Sequence, residues 1–292
     1  MKRIIFSLVL FLSFFAVSSI EAKEIKFAQI SDTHLSIDGE DYRGRNVSQS
    51  AQYLKKAVKD INKRHDIDFV IFTGDNIDVA NRDELRVFFR TIRKLHKKYY
   101  MIVGDHDVFR YEQFGKKEYM HTVWLYHPQM LFKGTNYVFK PSKEIVVIVV
   151  DGANELFLSP SGYYKQETLE WLDKQLYKYK NKKVILAQHF PLIPPTKKTS
   201  HNTVDVEKYF DILHNHDNVI AVISGHFHAD NQIYKKGIYH ISAPAFVADP
   251  YEYKVITLNY KPKYLFANPS EFNIKSEIVS SKEKTETIEF KE

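Results

Sequence analysis

The chain has no cysteine among its 292 residues. Disulfides, thiolate metal sites, cysteine nucleophiles and lipid attachment through a thiol are thereby excluded. Glycine and proline are sparse, at ten each, and no internal repeat or low-complexity stretch is present. Dense runs of one charge are also missing. Lysines outnumber arginines 33 to 9 and the net charge is +6, but the lysines are scattered. Scattered lysines make a solvated surface; without a basic stripe or a recognised module, nucleic-acid binding is not indicated. No stretch reaches the roughly 20 apolar residues that a membrane span needs. The one sizeable apolar run, Ile4 to Val17, is broken only by Ser7 and Ser13. Lys2-Arg3 precede it and Ser18-Ser19-Ile20-Glu21-Ala22 follow it, which reads as a secretory leader over 1–22, cut after Ala22. The alternative is an uncleaved anchor. The expectation is an exported chain, periplasmic or secreted, without stable membrane insertion.

What is present is apolar material in ordinary amount, 44% of residues, with 21 Phe and 19 Tyr. Glu24 to Ile30 reads as a strand, and Val47, Ala51, Leu54, Val58 and Ile61 recur at helical spacing. Ile67 to Phe72 is a second strand. Leu85, Phe88, Phe89, Ile92 and Leu95 mark a second helix, and Tyr99 to Val103 a third strand. This β-α-β-α-β start implies parallel strands joined by right-handed crossovers. Residues 108–135, aromatic and glycine-punctuated, read as a partly helical insert that lines the pocket and sets specificity. Tyr137–Phe139, Ile145–Val150, Val184–Ala187 and Val219–Ile223 read as strands. A helix marked by Leu169, Leu172 and Leu176 and a short one over 206–214 separate them. The domain is expected over 23–262, with a final strand or two in a frayed segment, 263–292.

Five short polar motifs each follow an apolar, strand-like run: Asp32-Thr33-His34, Gly74-Asp75-Asn76-Ile77-Asp78, Gly104-Asp105-His106-Asp107, Gln188-His189-Phe190-Pro191 and Gly225-His226-Phe227-His228. Carboxylates and imidazoles are ligands of borderline divalent metals. In open α/β sheets, ligands bind at the carboxyl ends of strands. Five such clusters on one edge offer more ligands than one ion takes, which points to two ions and hydrolysis of a phosphate ester.

These motifs, in this order, resemble the calcineurin-like metallophosphoesterases over roughly residues 25–260. The resemblance implies an α/β fold, a four-layer α/β/β/α sandwich of two mixed sheets. It implies Asp32, His34, Asp75 and His228 around a first metal, and Asp75, Asp105, His189 and His226 around a second, with Asp75 bridging. The cofactor would be two divalent ions; Mn, Fe, Zn and Ni all suit mixed N/O ligation. Such a pair would bring a bridging water close to neutrality for in-line attack on phosphorus. His106 would protonate the leaving alkoxide or hold a phosphoryl oxygen, and Asp78 would accept a hydrogen bond from His106 and orient it. Position 105 departs from the family's pattern, where Asn is usual. Asp105 adds a negative charge beside an anionic substrate and removes an amide donor. The partner implied is a small phosphate ester, mono- or diester. The competing reading is a non-catalytic binding scaffold of the same fold, disfavoured because His106 and nearly all ligand positions are kept.

Asp107 reads as a structural partner. His65, His96, His121, His127, His201, His214, His216 and His240 lack a paired pattern and read as surface or packing residues. Arg43 and Arg45 read as solvated loop residues before phosphate contacts, and Lys197 and Lys198 likewise.

Overall fold

The computed structural model describes residues 22–157, 159–197, 200–261 and 272–281, and the backbone of 286–288. Residues 1–21 of the expected leader, Lys198 and much of the expected C-terminal segment lie outside them.

The first sheet grows from the parallel start that the sequence implies. Strands β1 (Lys23–Ile30), β2 (Phe69–Phe72) and β3 (Lys98–Met101) pair in parallel. Helices α1 (Ser50–Lys63) and α2 (Arg82–Ile92) make the crossovers. Each helix buries one stripe: Leu54, Ala57, Val58 and Ile61 on α1; Leu85, Phe88, Phe89 and Ile92 on α2. Asn81 caps α2 by accepting the Glu84 amide at 2.8 Å. On the other side of β1, the late strands β10 (Glu252–Tyr260), β11 (Phe272–Ser280) and β12 (Glu286–Ile288) complete six antiparallel-edged strands in the order β12-β11-β10-β1-β2-β3.

The second sheet runs β4-β5-β6-β7-β9-β8, from β4 (Tyr137–Phe139), β5 (Ile145–Val149), β6 (Lys183–Ala187), β7 (Val219–Ser224), β8 (Asn231–Lys235) and β9 (Ile238–Ser242). Strands β5, β6, β7 and β9 are parallel. The unbroken apolar run of β5 has the reason expected of a strand covered on both faces. Ile145, Val147 and Val149 join the core shared with the first sheet. Val146, Ile148 and Val150 join a second core beneath helices α4 (Gln166–Lys178) and α5 (Val206–His214), with Leu169, Leu172, Leu176, Tyr209 and Leu213. Helices, sheet, sheet and helices therefore stack as four layers, the sandwich that the family resemblance implies.

The insert is partly helical, as expected, and meets the cleft over part of its length. Helix α3 (Lys116–Tyr126) packs Tyr119, Met120 and Val123 into the main core beside α2. Its apolar content serves packing, and only the lead-in segment around Phe109 and Glu112 reaches the cleft described below.

Candidate metal centre

The sheets present their strand ends to one another. Asp32 and His34 follow β1, Asp75 follows β2, and Asp105 follows β3; His189 follows β6, and His226 and His228 follow β7. All seven converge. Asp75, Asp105, His189 and His226 have ligand atoms within 4.8 Å of one another, and so do Asp32, His34 and His228. Asp75 lies between the groups: its Oδ1 is 3.4 Å from His189 Nε2 and its Oδ2 is 3.6 Å from His34 Nε2.

Backbone strain concentrates at this point. Asp32, His34, Asp75, His226 and His228 all have positive φ, from 38° to 72°. Such conformations are uncommon for residues with a Cβ and cluster at functional sites. Five of the seven converging residues adopt them, because the chain must turn sharply off each strand end to face inwards. Glycine permits the tight approach of neighbouring loops. A Cβ on Gly104 would stand 2.9 Å from Asp75 Cγ, and one on Gly225 would stand 2.6 Å from Asp32 Oδ2.

The outer contacts fix which nitrogen each imidazole turns inwards. His189 Nδ1 lies 2.8 Å from the Thr73 carbonyl, which can only accept, so Nδ1 carries hydrogen and Nε2 faces the site. His34 Nδ1 donates to Asp78 Oδ1 at 3.0 Å, turning its Nε2 inwards. His226 donates from Nε2 to the Pro160 carbonyl at 2.6 Å, turning its Nδ1 inwards. The inward atoms then crowd each other. Asp105 Oδ1, His189 Nε2 and His226 Nδ1 are mutually 3.2 Å apart. His34 Nε2, His228 Nε2 and Asp32 Oδ1 form a similar set, with 3.4 Å from His228 to each of the other two. Ligands bound at 2.0–2.2 Å to one ion stand roughly 2.8–3.6 Å apart. Both sets fit a cation, whether a metal ion or the protons that it would displace.

The charge balance agrees. Burial opposes a proton on His189, but Asp75, Asp105 and Asp32 outweigh it and hold the imidazole well above its usual range. Burial likewise opposes ionisation of Asp32, yet His228 and His189 hold it down at about 2. Asp75 and Asp105 also lie below the carboxylate range, against burial, through the surrounding histidines. His34 is the exception, pushed down to about 4 by burial. Cations binding here would displace protons rather than meet a neutral pocket.

His106 stands at the rim. Its Nδ1 donates to the backbone carbonyl of Asp78 at 2.7 Å, while the Asp78 carboxylate is 4.0 Å away. Asp78 thus accepts a hydrogen bond from His106, as expected, through its backbone carbonyl. The carboxylate is taken by His34 Nδ1 and by the hydroxyl of Tyr42, which donates to it at 2.7 Å. Burial lowers the His106 pKa, but Asp75 and Asp105 raise it above the ordinary value. Asp107 is wholly buried and accepts from the Asn76, Ile77 and Gly104 amides and from Asn76 Nδ2, at 2.8–3.1 Å. It locks the second motif to the third, the structural part that the sequence suggests. Burial and the Asp75 charge still push it up to about 7.

A cleft of about 400 Å³ opens beside His106, lined by Tyr42, Val79, Ala80, Phe109, Glu112 and Pro160 among others. Nothing in the sequence singles out Tyr42 or the Pro160 carbonyl, whereas Phe109 and Glu112 belong to the insert expected to line the pocket. Arg45 reaches the site, with Nη1 3.5 Å from His106 Nε2. Among the histidines outside the motifs, His201 lies near His226, with ring centroids 5.4 Å apart and the rings tilted, and His127 is buried against the Tyr99 carbonyl. His65, His96, His121, His214, His216 and His240 take no part.

Comparison with known proteins gives the same family at several levels. The model of the calcineurin-like phosphoesterases matches residues 25–230. The chain is 28% identical, over 68% of its length and 70% of the relative's, to a probable glycerophosphodiester phosphodiesterase of Arcobacter nitrofigilis. It is 27% identical to a probable cyclic nucleotide phosphodiesterase of Colwellia psychrerythraea, covering 70% of this chain and 72% of that one. In fold it is similar to a dimetal phosphatase of Danio rerio, with a TM-score of 0.66 at 17% identity, covering 91% of this chain and 99% of that one.

Proposed function

The chain belongs to the calcineurin-like phosphoesterase family, and on that premise we propose that it is an exported phosphodiesterase acting on small phosphate esters. It is a metal-dependent phosphoesterase that uses two divalent metal ions. Asp32, His34, Asp75 and His228 are proposed to hold the first, and Asp75, Asp105, His189 and His226 the second. The observation that carries this reading is the set of outward hydrogen bonds that aim His34, His189 and His226 at buried carboxylates with spacings suited to a cation. When bound, the ions supply Lewis acidity toward the phosphoryl oxygens and an acidified water.

The protein's own groups account for the remaining steps. His106, anchored through Nδ1 and held above its ordinary pKa, offers a proton from Nε2 to the leaving oxygen. Asp78 keeps His34 in the ligating tautomer through its carboxylate and aims His106 through its carbonyl. The cleft beyond His106 has room for an organic arm on the leaving side. Diester cleavage is favoured over monoester because the two relatives above are named phosphodiesterases. Export rests on the charged start and apolar run at 2–17. Among the described residues, no helix is long and apolar enough to cross a membrane. The proposed boundaries are a leader over 1–22 and a domain over 23–262, with the closing strands beyond.

The test is manganese-dependent hydrolysis of a bis-aryl phosphate against the mono-aryl ester. Chelator-sensitive turnover should favour the diester, and His106→Ala should lose about 10² to 10⁴ in rate. Folded protein that cleaves neither ester with any of Mn, Fe, Zn or Ni would turn the reading to a binding scaffold. For export, the N-terminal residue of protein recovered outside the cytoplasm should be Lys23.

A further inference from the structure

We infer that Arg45, presented by a two-residue hairpin, is the cation that receives a phosphoryl oxygen of the substrate beside His106. The inference rests on the phosphoesterase reading above and adds to it a binding residue outside the five motifs.

The hairpin is Tyr42-Arg43-Gly44-Arg45. Tyr42 and Arg45 exchange backbone bonds of 3.2 and 2.8 Å. The two central residues have φ of 48° and 80°. Positive φ at both positions is the signature of the tightest hairpin turn, and it places the flanking side chains beside each other. Here those side chains are Tyr42 and Arg45. The guanidinium stands 5.1 Å from the centroid of the Tyr42 ring.

The direction of each bond is fixed. The Tyr42 hydroxyl has one hydrogen and gives it to Asp78 Oδ1 at 2.7 Å. Its lone pair then accepts from Arg45 Nη1 at 2.7 Å. Tyr42 is thus a rigid post: it is tied to the carboxylate that orients His34, and Arg45 leans on it. The same Nη1 reaches to 3.5 Å from His106 Nε2. Among the described residues, no carboxylate lies within ion-pair distance of this guanidinium.

A half-buried arginine with no carboxylate beside it, its fork turned to the His106 ring, is an arrangement suited to an anion. Arg45 Nη1 and His106 Nε2 lie 3.5 Å apart, close enough to face two oxygens of one phosphoryl group. A non-bridging phosphoryl oxygen can accept from Arg45 while His106 faces the leaving oxygen. The position is right for it, because His106 lines the same cleft as Asp105, a proposed ligand of the second ion. Lysine would keep the charge but not the planar fork that contacts phenol and phosphate together.

The test uses purified, manganese-loaded protein, the wild type against Arg45→Gln and Arg45→Lys. It reads KM for a bis-aryl phosphate, the inhibition constant of inorganic phosphate, the manganese concentration for half-activity, and Tm. Arg45→Gln should raise KM and the phosphate inhibition constant together by about ten- to a hundredfold, the loss of one charge-assisted hydrogen bond. Manganese dependence and Tm should hold, and Arg45→Lys should recover part of the loss. Wild-type inhibition by phosphate in Arg45→Gln would overturn the inference. So would a manganese requirement that moves with KM, because Arg45 would then be propping Tyr42 and Asp78. If the wild type cleaves no ester, the phosphoesterase reading fails separately. Calorimetric binding of phosphate to the manganese-loaded proteins still decides on Arg45: weaker binding by Arg45→Gln supports it, while equal or absent binding in both proteins overturns it.

Discussion

Gly104→Ala adds one methyl group at a point where nothing can make way without moving the proposed bridging ligand. Gly104 has no positive φ, so alanine fits its backbone and the effect is steric alone. The added carbon would lie 2.9 Å from Asp75 Cγ and nearer still to Oδ1 and to the backbone nitrogen of the same residue. Ordinary contact begins at 3.4 Å. Asp75 must therefore retreat by about 0.5 Å at Cγ and by more at its oxygen, or the third loop must lift away from the second. Either movement also strains the His106 amide, which donates to Asp75 Oδ1 at 3.0 Å. Overpacking of this kind costs about 1–3 kcal/mol, or roughly 2–12 °C in Tm for a chain of this size. The loss in activity should be larger, since misplacing a reacting group by about 1 Å costs on the order of 10² in rate. The assay is turnover at saturating manganese, with bound metal by elemental analysis and Tm on the same preparation. Gly134→Ala is the control, because its new carbon would find only the Asn136 carbonyl, at 3.9 Å. Expected are a folded protein with fewer than two ions and a rate down by about 10². Wild-type turnover with two ions bound in Gly104→Ala would refute the argument that Asp75 is pinned against this glycine.

Asp78→Asn should weaken the first ion by roughly ten- to a hundredfold, with a smaller effect on the rate once metal is saturating; a slow but normally loaded enzyme would show that the carboxylate works through His106 instead. Asp105→Asn removes one negative charge between His189 and His226. It should weaken the second ion by about tenfold and lower the diester-to-monoester preference, since the dianion gains more from the lost repulsion; an unchanged ratio counts against a charge effect. His240 is buried away from the centre and held down to about 4 by burial, helped by Lys235. Its folded pKa is depressed, so its contribution is full above 6.5 and is lost as pH falls toward 4, by up to about 3 kcal/mol. Urea unfolding at pH 7 and pH 4.5 should show a shallower acid loss in His240→Leu than in the wild type; parallel losses would remove His240 as a cause.

The parts of the site that lie next to a strand end could be read from the sequence, because an apolar run closed by a polar motif is a local signal. Asp32, His34, Asp75, His189, His226 and His228 are of this kind. The double-faced apolar run of β5 likewise announced a covered strand. What could not be read depends on where a loop folds back. Asp78 was expected to accept from His106, but only tertiary placement decides whether side chain or carbonyl faces the ring. Tyr42 and Arg45 lie in a polar stretch indistinguishable from solvated loop until Arg43 and Gly44 turn it over the cleft. The aromatic residues near α3 looked like pocket lining, yet burial beside α2 uses the same residue types. The order of strands in the second sheet, with β9 inside β8, leaves no pattern in the sequence at all.

The seven converging residues are divided between the sheets: Asp32, His34, Asp75 and Asp105 extend from the first, and His189, His226 and His228 from the second. Elsewhere the two sheets meet through apolar contact with a few polar ties, such as the Tyr137 hydroxyl donating to the Met101 carbonyl and Gln29 donating to the Ser224 carbonyl. An ion shared across that seam would act as a rivet, joining segments that lie far apart in the sequence and fixing their relative setting. Loading would then change the mechanics of the sandwich as well as its chemistry: the chain must bring both halves together first, and the cation afterwards prevents their parting, with a stabilisation that grows as RT ln(1 + [M]/Kd).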